Sequence, residues 1–285
     1  MRDPARAVLE ATLAEALGQA SVPTQIGGYA EPQQPYKSAP PPSPSAAPSA
    51  PPAPASPSTA PPRRAAVVQV ALSHGKAPAG RHTLPFVQNP DSPAAAAYRV
   101  LRHKLREVDS PRIIAVTSPN RKEGKTSCVI DLAMALAEHG TSKVLIVEAN
   151  FRAPNVAAAL GFPVPACFGA QMAAHVKTPS SPWQVVAAFF PNLHVLAVDP
   201  ASVGHWVLNA PAFKIAMDQF RASDYQHIII DCPHALGSAD VNVIEDSADG
   251  VLLTAVSGST PAASLQKAAR HLAPANILGV VLLER

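Results

Sequence analysis

Residues 112–126 read RIIAVTSPNRKEGKT, and this stretch decides the fold. Its first part, Arg112–Thr117, is a continuous apolar run, which predicts a strand that is buried on both faces of a parallel sheet. Its last three residues are Gly124-Lys125-Thr126, and a helix is predicted to follow over Thr126–His139. A buried strand, a loop that ends in Gly-Lys-Thr and a helix together are typical of a phosphate-binding loop, or P-loop.

The loop predicts a nucleotide site. Backbone N–H groups of such a loop, with the helix N-terminus behind them, bind the phosphates of a nucleotide. Lys125 is the candidate catalytic cation at the β- and γ-phosphates, and the Thr126 hydroxyl is a candidate Mg²⁺ ligand. The predicted cofactors are therefore ATP and Mg²⁺. The predicted nucleotide-binding residues are Lys122, Glu123, Gly124, Lys125, Thr126 and Ser127.

A second motif lies a hundred residues further along the chain. His227–Asp231 reads HIIID, an apolar strand that ends in a carboxylate. Both this strand and the loop point to the carboxyl edge of the sheet, where α/β proteins bind their ligands. Asp231 is therefore predicted to hold Mg²⁺ and to take part in catalysis. The alternative is that Asp231 is an ordinary turn residue before Pro233.

Strands and helices alternate from about residue 94 onward. This alternation predicts an α/β fold with a doubly wound, mostly parallel sheet, a P-loop NTPase of the SIMIBI type. Residues 161–191 are interrupted by Pro163, Pro165, Pro179 and Pro182 and are predicted as loop, with a helical piece near Cys167–Val176. The predicted strands are 112–117, 143–147, 193–198, 227–231, 250–255 and 277–283, and the predicted helices are 94–107, 126–139, 212–221, 241–246 and 262–271.

The first third of the chain has a different composition. Of the 32 prolines, 19 lie in residues 1–93, and 11 of these lie in residues 40–62 with Ala and Ser. Such a segment cannot bury enough apolar area to fold, so residues 21–93 are predicted to be a disordered linker. Residues 1–20 are predicted to contain a short amphipathic helix, because Leu9, Leu13 and Leu17 recur every four residues. Residues 94–285 form the P-loop domain.

Charge and cysteine content exclude several classes of function. The formal net charge is only +3, so no basic face predicts a nucleic-acid partner. The three cysteines are far apart, which argues against a disulfide framework or a zinc site and favours the cytoplasm. No apolar run is long enough for a transmembrane helix, so any membrane association is expected to occur through a partner.

Several separated segments agree in order with one family. They are 97–102 (AYRVLR), the P-loop, 143–154 (KVLIVEANFRAP), Asp231-Cys232-Pro233, and the late segments 238–240, 248–253 and 277–282. Over about residues 94–283 the chain resembles the cytoplasmic domain of the bacterial tyrosine kinases of capsule and exopolysaccharide export (CpsD/CapB type), which are relatives of the MinD/ParA ATPases.

The resemblance to these kinases implies further site residues and binding partners. It implies an inner-membrane polysaccharide co-polymerase, a chain-length regulator, as partner. It also implies homo-oligomers that form through the helix carrying Arg99 and Arg102, although Ala96 replaces the glutamate of the assembly motif. Glu148, at the end of the strand 143–147, is implied as a catalytic carboxylate in place of an aspartate. Tyr29 and Tyr36 in the N-terminal arm are candidate phosphate acceptors.

Three further positions depart from the family pattern. Lys122 stands where the family has glycine, and a side chain there crowds a backbone that must approach phosphate. Asn150 replaces a second aspartate and removes a charge that could bind metal or accept a proton. Leu283 stands where relatives have an asparagine that hydrogen-bonds adenine.

Three functions therefore stay open from the sequence. The first is an active tyrosine kinase or ATPase that regulates polysaccharide polymerisation and export. The second is a catalytically degenerate regulatory or scaffold subunit of the same export machinery. The third is a positioning ATPase like MinD or ParA, which ranks last because Asn120 stands where that group has a second loop lysine.

Overall fold

The fold is described from a computed structural model, which covers the main chain of residues 70–74, Phe86, residues 89–108 and residues 110–284. The strands are β1 (Val70–His74), β2 (Ile113–Thr117), β3 (Val144–Glu148), β4 (Trp183–Ala187), β5 (Leu193–Leu196), β6 (His227–Asp231), β7 (Gly250–Val256) and β8 (Ile277–Leu283). The helices are α1 (Pro93–Glu107), α2 (Lys125–Ala137), α3 (Val156–Leu160), α4 (Phe168–Lys177), α5 (Ala210–Ala222), α6 (Asp240–Glu245) and α7 (Ala262–His271).

The eight strands form one sheet in the order β1-β4-β5-β3-β6-β2-β7-β8. Six strands run in one direction, and only β1 and β4 run against them, because β4 is antiparallel to β5 and parallel to β1. β2 lies between β6 and β7. The predicted fold, a mostly parallel α/β sheet of the P-loop NTPase type, is confirmed.

Helices cover both faces of this sheet. Alternate residues of β2 enter two different apolar clusters, Ile114 and Val116 on one face and Ile113 and Ala115 on the other. Residues from helices α1 to α3 complete the first cluster, and residues from α4 to α7 complete the second. Because the central strands are buried on both faces, their sequences are continuous apolar runs rather than alternating ones. That property made β2, β3 and β6 predictable.

The prediction of loop over residues 161–191 is wrong in part. The helical piece exists as α4, but Trp183–Ala187 is a strand. Trp183 is buried, its ring stacks on His175 with 3.6 Å between ring centroids, and its indole N–H donates to Gln219 Oε1. Prolines on either side hide this strand from a local pattern search, whereas tertiary contacts stabilise it.

The predicted linker over residues 21–93 also requires a correction. Residues 70–74 pair with β4 along the sheet edge, and helix α1 begins at Pro93. A five-residue edge strand gives little sequence signal, because its one pairing partner in the sheet is β4, which the sequence did not predict. The predicted helix within residues 1–20, Tyr29, Tyr36 and most of the linker lie outside the described residues.

No helix among the described residues is long and apolar enough to cross a membrane.

Candidate functional site

The P-loop connects the carboxyl end of β2 to the first turn of α2. Gly124 immediately precedes the helix and has φ of +74°, a conformation that favours glycine. A Cβ atom on Gly124 would lie only 2.1 Å from Leu283 Cδ1 of β8. The left-handed backbone at Gly124 therefore favours glycine, and a Cβ atom there would force the end of the Leu283 side chain to move. Leu283 makes an apolar contact with the loop, and its side chain has no group that could hydrogen-bond adenine.

Lys122 has φ of +62°, in the left-handed region, and its side chain is exposed. This conformation costs a residue with a Cβ about 1 kcal/mol or more relative to glycine. The structure thus gives a physical reason why glycine suits this position. It places the Lys122 side chain in solvent rather than inside the loop.

Lys125, the predicted catalytic cation, is buried within its own loop. Its Nζ atom donates to Ser118 Oγ at 3.0 Å and to the Asn120 carbonyl oxygen at 3.4 Å. Burial lowers the pKa of the amine, while the nearby carboxylates of Asp231 and Glu123 act in the opposite direction. The loop therefore holds the lysine close to where a phosphate would enter.

Thr126 and Asp231 meet at the carboxyl edge of the sheet, as the two motifs predict. The Thr126 hydroxyl donates to Asp231 Oδ2 at 2.8 Å, although the two residues are 105 positions apart. Asp231 is fully buried, and its Oδ1 atom has no hydrogen-bond partner. Burial raises the pKa of Asp231 to about 6, against the effects of Thr126 and Lys125.

This pair fits a magnesium site. A buried carboxylate oxygen without a partner costs free energy unless a ligand satisfies it. A hydroxyl and a carboxylate are oxygen ligands of the kind that Mg²⁺ prefers, with phosphate and water completing the octahedron. Among the described residues no group of three or more His, Cys, Asp or Glu side chains could hold a metal by itself. Binding of Mg²⁺ here would therefore depend on the nucleotide.

Glu123 stabilises the loop from within. Its carboxylate accepts from the Asn120 N–H at 2.7 Å and from the Thr260 hydroxyl at 2.9 Å. Its carbonyl oxygen accepts from the Thr254 hydroxyl of β7 at 2.7 Å. The Glu123 carboxylate is thus engaged in fixing the loop, and a role in binding nucleotide falls to its backbone. Ser127, the last predicted binding residue, lies half-buried in the first turn of α2.

Glu148 lies beside Asp231 in the register of β3 and β6. One of its carboxylate oxygens accepts from the N–H groups of Asn155 and Val156, at 2.5 and 2.8 Å, and the other accepts from Val198 N–H at 2.9 Å. Burial raises the pKa of Glu148 to about 7, and Asp231 adds to this effect. These contacts give Glu148 a structural role at the start of α3, and its catalytic role stays a prediction.

Asn150 and the two arginines of α1 also have partners within the chain. The Asn150 amide donates to the Ala153 carbonyl oxygen and shapes the turn after β3.

Arg99 forms an ion pair with Glu138 at the end of α2, and Arg102 lies 3.4 Å from the same carboxylate. The arginines that the resemblance implies in assembly thus bind a glutamate of their own chain, and the homo-oligomer stays a prediction.

Sequence reasoning missed the residues that support the site. Ser118 binds Lys125, and Thr254 and Thr260 hold Glu123 from the β7 side. The two threonines had no signal in the sequence, because more than 130 residues separate them from the partner. Ser118 directly follows β2, and its position in the loop is the one sequence feature that could have indicated its contact with Lys125.

Comparison with known proteins supports the fold and the resemblance. No family model matches the chain. Tyrosine-protein kinase YwqD of Bacillus subtilis is 26% identical over 198 residues, which make up 68% of this chain and 82% of YwqD. The kinase domain of Escherichia coli tyrosine kinase ETK superposes with a TM-score of 0.58 and 19% identity, over 76% of this chain and 89% of the ETK chain. The septum site-determining protein MinD of Pyrococcus horikoshii, solved with Mg-ADP, superposes with a TM-score of 0.50 and 25% identity, over 60% and 69%.

Fold and site define the described part of the chain as a P-loop α/β domain of the kinase and ATPase group. Within that group it is similar to the bacterial tyrosine kinases, with MinD-like ATPases as structural neighbours. The resemblance that these sequence segments predicted is confirmed.

Proposed function

We propose that this protein binds MgATP at the P-loop and acts as a tyrosine kinase or ATPase in polysaccharide polymerisation and export. The observation that carries the proposal is the hydrogen bond of 2.8 Å between the Thr126 hydroxyl and Asp231, with Asp231 Oδ1 left without a partner. Two oxygen ligands from distant parts of the chain are thereby already side by side, as the binding of a metal–nucleotide complex requires.

Each residue of the site has a defined task in this proposal. Backbone N–H groups of the loop and of the first turn of α2 bind phosphate oxygens, and Lys125 leaves Ser118 and Asn120 to bind the β- and γ-phosphates. Thr126 and Asp231 orient Mg²⁺, which neutralises charge on the phosphates when it is bound. Glu148, whose pKa is raised, lies beside Asp231 in the sheet as a further carboxyl group.

The partner and the location follow from the resemblance to the export kinases. We propose an inner-membrane polysaccharide co-polymerase as the partner, and the cytoplasm, next to that membrane protein, as the location.

A catalytically degenerate regulatory or scaffold subunit is the second candidate. Asn150 favours it, because its amide is neutral and is occupied with the Ala153 carbonyl oxygen, so it can neither accept a proton nor bind metal as a carboxylate does. Lys122 favours it as well, because a strained non-glycine residue in the loop is at odds with close approach to phosphate. In that case the protein keeps its fold and acts within the export machinery, but it no longer transfers a phosphoryl group.

Steady-state MgATP turnover of the purified full-length chain separates the two candidates. The proposed enzyme predicts turnover that falls by at least about 100-fold in Lys125→Met, because the variant loses the cation at the transferred phosphoryl group. Lys177→Met, at an exposed position of α4, is the matched control and should leave turnover unchanged. Binding of MgATP without any turnover of the wild-type protein would reject the enzyme and favour the regulatory subunit.

A further inference from the structure

The segment after Asp231 is held firmly against the P-loop. The Thr117 hydroxyl donates to the Pro233 carbonyl oxygen at 2.6 Å. The Ala235 and Leu236 N–H groups donate to the carbonyl oxygens of Ser118 and Pro119, at 2.8 and 3.1 Å. His234 lies within this segment, so its backbone position is fixed by the first residues of the loop.

The His234 ring is half-buried and makes no hydrogen bond with any residue that the structure describes. Partial burial lowers its pKa, and the cations Lys125, Arg121 and Arg152 lower it further. Glu123, which acts in the opposite direction, is already bound to Asn120 and Thr260. The imidazole is thus a hydrogen-bonding group without a partner in a region dominated by positive charge, which is the environment of an anion site.

The position of this ring along the site indicates which phosphate it would meet. Lys125 of a P-loop binds the β- and γ-phosphates, and the Asp at the end of the second strand holds the metal that bridges them. His234 interacts with Lys125 and follows Asp231 by three residues. Leu283 contacts the loop from β8, on the other side of β2 in the strand order. His234 is therefore on the β6 side of the loop, together with the predicted metal ligand Asp231, and Leu283 is on the β8 side.

We propose that His234 is a phosphate-contacting residue, and that an imidazole N–H donates a hydrogen bond to the terminal phosphate of bound ATP. The contact distinguishes a triphosphate from a diphosphate. A neutral imidazole carries one N–H donor in either tautomer, so the contact does not depend on a charged ring. This inference rests on the proposed function, since it requires a nucleotide in the P-loop.

Calorimetry of the full-length chain with Mg²⁺ tests the contact, using the non-hydrolysable analogue AMP-PNP and, separately, ADP. In His234→Ala the Kd for AMP-PNP should rise about ten-fold, the effect of one hydrogen bond to a charged group, while the Kd for ADP changes less than about two-fold. His234→Asn retains an N–H donor and should recover part of the affinity for AMP-PNP. His205→Ala, at an exposed histidine, is the matched control and should change neither value.

Two results would overturn the inference. An equal change of both affinities in His234→Ala, with an unchanged unfolding temperature, would mean that the histidine only shapes the loop. Unchanged affinities for both nucleotides would mean that the ring does not reach the phosphates. Wild-type protein that binds neither nucleotide would instead reject the proposed function, and the inference with it.

Discussion

At the scale of single residues, the P-loop contains two positions with left-handed backbone, and only one of them is glycine. Gly124 has the residue type that its φ of +74° favours. Lys122 also has a left-handed backbone, with φ of +62°, but it is not a glycine. The loop nevertheless keeps its shape because Glu123, between them, is hydrogen-bonded to Asn120, Thr254 and Thr260. Hydrogen bonds to Glu123, from the loop itself, from β7 and from the segment after β7, thus offset the strain at Lys122.

Replacement of Lys122 by glycine should therefore stabilise the protein. The free energy of unfolding in Lys122→Gly is expected to increase by about 1 kcal/mol, because the strain of the left-handed conformation disappears. Lys267→Gly, at an exposed position inside α7, is the matched control and should lose about 1 kcal/mol. Urea unfolding monitored by circular dichroism measures both values. A destabilised Lys122→Gly would mean that the lysine side chain makes a contact that offsets the strain.

At the scale of secondary-structure elements, α1 and α2 are joined by polar groups as well as apolar ones. Tyr98 of α1 and Cys128 of α2 are buried in the same apolar cluster, and Arg99 pairs with Glu138. Asp131 of α2 is also buried, and its Oδ1 atom has no hydrogen-bond partner. Burial raises the pKa of Asp131 to about 7. Packing of the two helices therefore favours the protonated form of this carboxyl group.

Stability should consequently depend on the ionisation of Asp131. Between about pH 4 and pH 7 the unfolded chain has lost this proton while the folded chain still holds it, so stability falls as pH rises through this window. Asparagine at this position cannot ionise. Asp131→Asn should therefore gain stability relative to wild type as pH rises from 5 to 8, in urea unfolding at each pH. Asp218→Asn, exposed on α5, is the control; a stability difference for Asp131→Asn that is constant with pH would contradict the account.

At the scale of the whole molecule, the sheet was predictable where strands are buried on both faces. Strands β2, β3 and β6 are continuous apolar runs, and the groups that end them, the loop, Glu148 and Asp231, could be placed on one edge from connectivity alone. Strand β1, at the edge of the sheet, and strand β4, beside it, could not be predicted, because tertiary pairing rather than local pattern stabilises them. Lys125, Thr126 and Asp231 belong to recognisable motifs. The hydrogen bonds from Thr254 and Thr260 to Glu123, and the position of His234 beside the loop, could not be predicted, because they depend on the order of the strands in the sheet.

The central claim is that Lys125, Thr126 and Asp231 bind MgATP in a P-loop of this sheet. Titration calorimetry of the full-length chain with ATP, with and without Mg²⁺, tests it most directly. The account predicts binding that strengthens when Mg²⁺ is present and weakens by at least about ten-fold in Lys125→Ala, since the amine is a charged hydrogen-bond donor to phosphate. An affinity for ATP that stays within a few-fold of wild type in Lys125→Ala, whether or not Mg²⁺ is present, would contradict it.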